Sequence, residues 1–259
     1  MEEKDRLDYL ISGLLTEMGV SLTIPADKLG KRRLLRALMN QRPPSSAEAH
    51  FLAVQDEELR LQLQEKGIVD VSQIPPCETD SRLRIWQGDI TRLRVDAIVN
   101  AANSALLGCF YPLHGCIDNA IHSAAGIQLR MACQRLMEAQ GYPEPVGQAK
   151  ITDGYNLPAK HVIHTVGPRV IGEYPTAQQL IQLANCYRAC LALAGDHGLE
   201  SLAFCCLSTG EFRFPQEMAA EIAVRTVKDY LNTQNNHLKT IIFNVFTDND
   251  FRIYRQLIP

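Results

Sequence analysis

The chain has 259 residues, 46% hydrophobic and 21% charged, and its 26 basic and 29 acidic residues leave a net charge of −3. These proportions suit a folded protein with a sizeable core and argue against global disorder, and the length suits one large domain plus an appendage. The acidic balance gives no overall basic footprint for duplex nucleic acid, and no apolar run approaches the ~18 residues of a membrane-spanning helix.

The opening, MEEKDRLDYLISGLL, is acidic and amphipathic. A secretory signal would be basic and then apolar, so none is expected, and the cytoplasm is the expected compartment. Leu7, Leu10, Ile11, Leu14 and Leu15 recur at helical spacing until Gly19 offers a stop. A second helical run carries Leu34, Leu35, Leu38 and Met39 and ends at Pro43–Pro44. A third is expected to start at Ser45-x-x-Glu48, a capping-box pattern, and to run through Phe51, Leu52, Leu59, Leu61 and Leu63 to Gly67. These runs predict a small helical unit over roughly residues 1–70. The stretch VDVSQIPPCETD, with its Pro-Pro pair, is the expected linker.

From Arg82 the pattern changes. RLRIWQGDI, VDAIVNAAN, HVIHTVG, LESLAFCCLSTG and LKTIIFNVFT are short apolar segments rich in β-branched residues, with helical candidates at 117–139, 176–197 and 216–233 between them. Near-continuously apolar strands alternating with helices predict a largely parallel sheet covered on both faces. In such sheets ligands bind beyond the carboxyl ends of the strands, which makes those ends the place to search for chemistry.

Asp89 ends the first of these strands in Gln87-Gly88-Asp89-Ile90. It reads either as an Asp that opens a turn or as a carboxylate that accepts from a ligand amine. The second strand ends in Asn100-Ala101-Ala102-Asn103, where small residues admit a ligand and an amide suits a sugar hydroxyl; equally, both amides can tie down the loop, Asn100 more so. Leu207-Ser208-Thr209-Gly210-Glu211-Phe212 leads into a helix and suits a phosphate or pyrophosphate at backbone N–H groups. The chain lacks the lysine loop of nucleotide hydrolases and the G-x-G-x-x-G of dinucleotide enzymes.

Eight cysteines are far too few for a disulfide scaffold, and in a reducing compartment clustered thiols point to metal or reactivity. The cluster is Cys109-Phe-Tyr-Pro-Leu-His114-Gly-Cys116, flanked by Gly108. Two thiols and an imidazole suit zinc, and the lack of an obvious fourth ligand implies an open position, as in a catalytic site; the other reading is two free thiols and a solvated histidine. Asp118 follows near a helix start, where it either caps the dipole or handles a proton beside a metal-bound water, and His122 lies one turn on, within reach of it. His161 and His164 read as packing or turn residues, Cys205 and Cys206 as strand thiols, and Cys133, Cys186 and Cys190 as helix packing. Phe246 reads as core, with stacking on a base as the alternative.

Taken together, QGDIT at 87–91, VDAIVNAAN at 95–103, HVIHTVGP at 161–168 and STG at 208–210 resemble the macrodomain family, the ADP-ribose-binding fold, from about residue 82 to 259. A typical macrodomain hydrolase carries a run of glycines after its Asn-containing strand. This chain has CFYPLHGC there and a helical segment ahead of it, and in both respects it resembles the zinc-containing subfamily of protein-ADP-ribose hydrolases. The resemblance implies an α/β fold, a three-layer α/β/α sandwich around a mixed sheet at 76–259, preceded by a helical extension at 1–75.

The resemblance also implies roles. Asp89 and the backbone of Ile90 would hold adenine, and Ser208, Thr209, Gly210, Glu211 and Phe212 would wrap the pyrophosphate. Asn103 would fix the distal ribose, Cys109, His114 and Cys116 would bind one zinc ion, and Asp118 would stand at the catalytic carboxylate position. The implied activity is removal of mono-ADP-ribose from a modified protein, acidic side chains first, with a lipoyl-carrier protein modified by a sirtuin-like transferase among the implied substrates. The alternatives are a non-catalytic ADP-ribose reader and a hydrolase whose zinc is structural.

Overall fold

A computed structural model of the chain describes residues 3–233 and 237–259. Helices α1 (Glu3–Met18), α2 (Lys28–Gln41) and α3 (Ala49–Lys66) come first. Strands β1 (Val69–Asp70), β2 (Leu83–Gln87), β3 (Leu93–Arg94) and β4 (Ala97–Ala101) follow, then α4 (Ile117–Ala125), α5 (Ile127–Gln140), β5 (Ala149–Asp153) and β6 (His161–Thr165). The chain ends with α6 (Ala177–Asp196), β7 (Ser201–Phe204), α7 (Gln216–Thr233), β8 (Thr240–Val245) and α8 (Asp248–Leu257). Among the described residues no helix is long and apolar enough to cross a membrane.

The main sheet has the order β2-β8-β7-β4-β6-β5. Every neighbouring pair is parallel except β5 and β6, which run antiparallel, so the sheet is mixed at one edge. Strands β4, β6, β7 and β8 are buried almost throughout, as expected when helices cover both faces. Helices α4 and α5 lie against β4 and β5, α6 to α8 form the opposite layer, and α2 and α3 pack outside α4. The outer helices close a small core of their own from Leu7, Leu10, Ile11, Leu14, Leu35, Leu38 and Leu59, joined by Ile127 of α5.

Several local expectations give way to tertiary contacts. The third helix starts at Ala49, and Ser45 caps nothing. Buried Arg42 donates to the carbonyls of Ser45 and Ser46 at 2.9 and 3.0 Å and pairs with Glu17 of α1, whose other oxygen takes the Ser45 hydroxyl at 2.9 Å. A buried guanidinium has to find acceptors, and the carbonyls it takes hold the segment out of a helical cap. The expected linker is structured: β1 pairs in parallel with β3, a 3-10 turn follows at Val71–Gln73, and Pro76 bridges Arg84. Strand β5 and helix α8 stand where the apolar pattern predicts no element; β5 is a half-exposed edge strand.

The single helix expected over 117–139 is two. Gly126 separates them at φ 99°, ψ 172°, a conformation reserved for glycine. Gln55 of α3 takes the freed N–H of Ile127 at 3.0 Å, and Asn156 donates to the carbonyl of Ala125 at 3.0 Å. A Cβ at Gly126 would stand 2.7 Å from both Gln128 Oε1 and Gln55 Nε2. Gly126→Ala is therefore expected to cost about 1–3 kcal/mol in urea-unfolding free energy; wild-type stability in that variant would show the joint to be unconstrained.

Candidate functional site

A cavity of about 980 Å³ opens beyond the carboxyl ends of the strands. That is the upper end of the range for ligand pockets and has room for a ligand of dinucleotide size. On the sheet side it is lined by Asp89, Ile90, Ala101, Ala102, Cys116, Ser208, Thr209, Gly210, Glu211 and Phe212. The facing wall comes from the second and third helices, with Leu29, Arg33, Leu35 and Arg36 of α2 and Leu63 and Lys66 of α3. Nothing in the helical periodicity of residues 28–66 separates a cavity-facing arginine from a solvated one, so sequence reasoning missed this wall.

The loop after β7 is shaped to receive an anion. Ser208 and Arg213 both have positive φ, 66° and 57°, and curve the backbone between them. Phe214 N–H donates to Ser208 O and Arg213 N–H to Gly210 O, each at 3.0 Å. Among the described residues no acceptor takes the N–H groups of Thr209, Gly210, Glu211 or Phe212, which leaves four donors on the cavity wall ahead of the α7 N-terminus. Gly167 packs tightly beside this loop: a Cβ there would fall 2.0 Å from Ser208 Oγ and force that hydroxyl to turn aside.

Asp89 opens a turn and also faces the cavity. It caps the short turn at Ile90–Arg92, accepting from Thr91 N at 3.1 Å and Thr91 Oγ1 at 2.6 Å, and it still lines the cavity with Lys66 Nζ at 3.3 Å. Burial works to raise its pKa, but the Thr91 bonds and the Lys66 charge outweigh that and hold it below the usual carboxylate range. Phe246, expected in the core, is 78% exposed and lines the cavity just past β8. The chain leaves the sheet at Val245, so the ring has no opposing layer to enter.

Asn103, Cys109, His114 and Asp118 are not in the cavity lining, although their neighbours Ala102, Leu113, Gly115, Cys116 and Ile117 are. Asp118, 5% exposed in the first turn of α4, accepts from Asn100 Nδ2 at 2.8 Å and Asn103 Nδ2 at 3.4 Å. Asn103 also donates to Gly108 O at 3.0 Å and accepts from Ala105 N at 3.0 Å, so it ties the loop as well as reaching the carboxylate. Asn100 ties no loop; its other donor meets His164 Nδ1 at 3.2 Å, and His164 Nε2 meets Thr152 Oγ1 at 2.9 Å. His122 Nε2 stands 3.5 Å from Asp118 Oδ1. Burial pushes Asp118 up to about 6, against the Asn100 bond and the charge of Arg130.

The ligand atoms of Cys109, His114 and Cys116 all lie within 4.8 Å of one another. His114 Nδ1 is buried without a hydrogen-bond partner, whereas its Nε2 is 3.5 Å from Glu211 Oε1. A histidine oriented by a carboxylate through one nitrogen keeps the other for a metal. Cys116 Sγ caps α4 by accepting Asn119 N–H at 3.4 Å, and burial pushes its thiol up to about 12. Two sulfurs and one free imidazole nitrogen fit a zinc ion. A second group, His122, Cys133 and His164, is fully buried beneath Asp118. Cys205 and Cys206 lie just past the end of β7 rather than in it.

The family model for the Macro domain matches residues 99–223. A protein-ADP-ribose hydrolase of Treponema medium is 47% identical over the whole of both chains. One from Staphylococcus aureus (strain MSSA476) is 48% identical over 98% of this chain and 95% of its own. Among solved structures, the Trypanosoma brucei macrodomain in complex with ADP-ribose superposes with a TM-score of 0.66 at 30% identity, covering 82% of this chain and 91% of that one.

The buried imidazoles give this region a pH signature. Burial lowers His164 to about 3, and burial with the His164 and Arg130 charges lowers His122 as well. An unfolded histidine titrates near 6.5. The neutral rings therefore contribute fully above pH 6.5, and that contribution is lost as pH falls from 6.5 toward the folded values. Unfolding free energy is expected to drop by up to about 1.4 kcal/mol per pH unit per ring between pH 6.5 and 5. His164→Gln should flatten the slope; equal slopes in the two proteins would refute the assignment.

Proposed function

The chain belongs to the macrodomain family, and from that premise we propose that it is a zinc-dependent hydrolase that frees mono-ADP-ribose from modified proteins, acidic side chains first. The observation that carries this reading is Asp118: a buried carboxylate held by Asn100 beside the lining of an anion-receiving cavity, two residues from a Cys/His group fitted to zinc. Relatives alike over the full length are named protein-ADP-ribose hydrolase.

In this reading the ligand lies along the strand ends. Asp89 accepts from the adenine amine and the Ile90 N–H, which has no acceptor among the described residues, donates to the base. The free N–H groups at 209–212 take the pyrophosphate oxygens without needing lysines, which reconciles an anionic ligand with a chain of net charge −3. Phe246 offers its exposed ring as a further apolar surface on the cavity wall. Asn103 holds the distal ribose, and Asp118 accepts the proton of the attacking water; a group whose pKa is lifted toward neutrality suits that exchange. Cys109, His114 and Cys116 would hold a zinc ion, which would supply Lewis-acid chemistry when bound. The products are ADP-ribose and the unmodified side chain.

The reading is tested by following label release from mono-ADP-ribosylated proteins of Asp/Glu, Ser and Arg linkage, alongside zinc content per chain. Asp118→Ala is expected to slow release by ~10²–10⁴-fold while still binding ADP-ribose. Stripping the metal, or Cys116→Ala, should abolish release from a protein that stays folded. No release by zinc-loaded wild type on any linkage would make the protein a reader, and full turnover without metal would remove zinc from the chemistry.

A further inference from the structure

The helical layer reaches the cysteine loop through Arg36 and Asn40 of α2, the first partly by way of a buried amide in α4. Asn119, fully buried in the first turn of α4, accepts from Arg36 Nη2 at 2.7 Å and Nε at 3.3 Å. Its Nδ2 donates to the carbonyls of Tyr111 at 3.0 Å and Cys109 at 3.5 Å, and its backbone N–H donates to Cys116 Sγ at 3.4 Å. Arg36 Nη2 also donates to the carbonyl of His114 at 3.3 Å. One turn further along α2, Asn40 accepts Leu113 N–H at 3.0 Å and donates to Ser123 Oγ at 2.9 Å. All three members of the Cys/His group are thus touched by Arg36 or by Asn119, the residue whose side-chain amide Arg36 holds.

The backbone explains why such support is needed. Leu113, immediately before His114, has φ 58°, a left-handed conformation that costs a branched residue of order 1–3 kcal/mol. A free loop from Cys109 to Cys116 would relax away from it and turn the imidazole with it. Asn40 holds the N–H of that residue, and Arg36 holds the carbonyl of the next. On the other flank Arg130 of α5 donates to Leu107 O at 2.7 Å and lies 4.2 Å over the Phe110 ring.

We propose that Arg36 and Asn40 of α2 are positioning residues for metal binding: they hold the 109–116 loop in its ligating shape before an ion arrives, so the chain's affinity for the metal depends on its helical extension. The proposal rests on reading Cys109, His114 and Cys116 as a metal site. Its physical basis is that ordering a loop in advance removes that entropy cost from the binding step. Outer partners of metal ligands typically carry 10–100-fold in affinity.

The test titrates the metal-free, full-length chain with zinc against a chromophoric chelator and records the thiolate absorption bands of the cobalt(II) form. Arg36→Ala and Asn40→Ala are expected to weaken zinc binding by about 10–100-fold and to change the cobalt spectrum. Arg36→Lys should be intermediate, because one ammonium on a different stem does not reproduce the fork that serves both Asn119 Oδ1 and His114 O; it also carries the test if an alanine variant fails to fold. Melting temperatures of the metal-free forms are taken alongside. Unchanged zinc affinity and an unchanged cobalt spectrum, even with a lower melting temperature, would make the contacts merely structural and overturn the proposal. Failure of the wild-type chain to take up zinc in the same titration would instead bring down the metal site itself, and this inference with it.

Discussion

The interaction on which the site depends is the hydrogen bond from Asn100 to Asp118 at 2.8 Å. A carboxylate taken out of water is costly unless donors meet it, and no cation pairs directly with Asp118 among the described residues: Arg130 acts on it only through its field. Asn100 is held in turn by the ladder. It stands in register opposite His164 on β6, and its second donor is spent there. His164 spends its other nitrogen on Thr152 of β5. One buried chain of polar groups therefore runs from α4 through β4 and β6 to the antiparallel edge strand. It sets the amide and imidazole orientations that keep an oxygen acceptor waiting beside the cavity lining.

That chain also explains what was and was not legible beforehand. The alternation of apolar strands and helices is written in the sequence from residue 82, because the buried strands are short, mostly apolar runs and long helical stretches such as α6 and α7 separate them. The strand ends followed, since topology dictates where an α/β sheet presents its ligands. Strand β5 was not legible: AKITD at a half-exposed edge has too few apolar residues to stand out, although it supplies the Thr152 that orients His164. Phe246 failed for a different reason. An aromatic after an apolar run looks like core, and only the position of the last ladder pair, Gln87 with Val245, shows that the chain has already left the sheet.

The helical layer shows the same limit at longer range. Ser45-x-x-Glu48 is a sound local cap signal, and it loses to Arg42, which takes the carbonyls of Ser45 and Ser46 while paired with Glu17 28 residues before Ser45. The separation of 83 residues between Arg36 and Asn119 puts their contact beyond any pattern rule. Charge counts mislead in a similar way. The chain is acidic overall, yet Arg32 is neutralised by Glu58 and Glu65, and Lys66 meets Asp89, while Arg33 and Arg36 remain on the cavity wall. Local placement, and not the sum, decides whether an anion is welcome.

The first turn of α4 concentrates the electrostatic problem that the rest of the fold addresses. Cys116 as cap and Asp118 as second helical residue are two potential anions at one helix end, with Cys109 adjoining the first. Burial works against ionising them, pushing Cys116 up to about 12 and Asp118 to about 6, while the positive end of the helix dipole works the other way. A dipole worth a fraction of a charge offsets part of one carboxylate but not two thiolates as well. A divalent cation shared by the two sulfurs would balance them, because coordination would replace their protons and cancel the two thiolate charges, leaving Asp118 as the one charge for the helix end to offset. Neutral supports then suit the surroundings better than further ions: Asn100, Asn103, Asn119 and Asn40 orient the loop and the carboxylate without adding to the charge there. The two arginines at the loop, Arg36 and Arg130, spend donors on an amide oxygen and on backbone carbonyls and take no carboxylate away from the site.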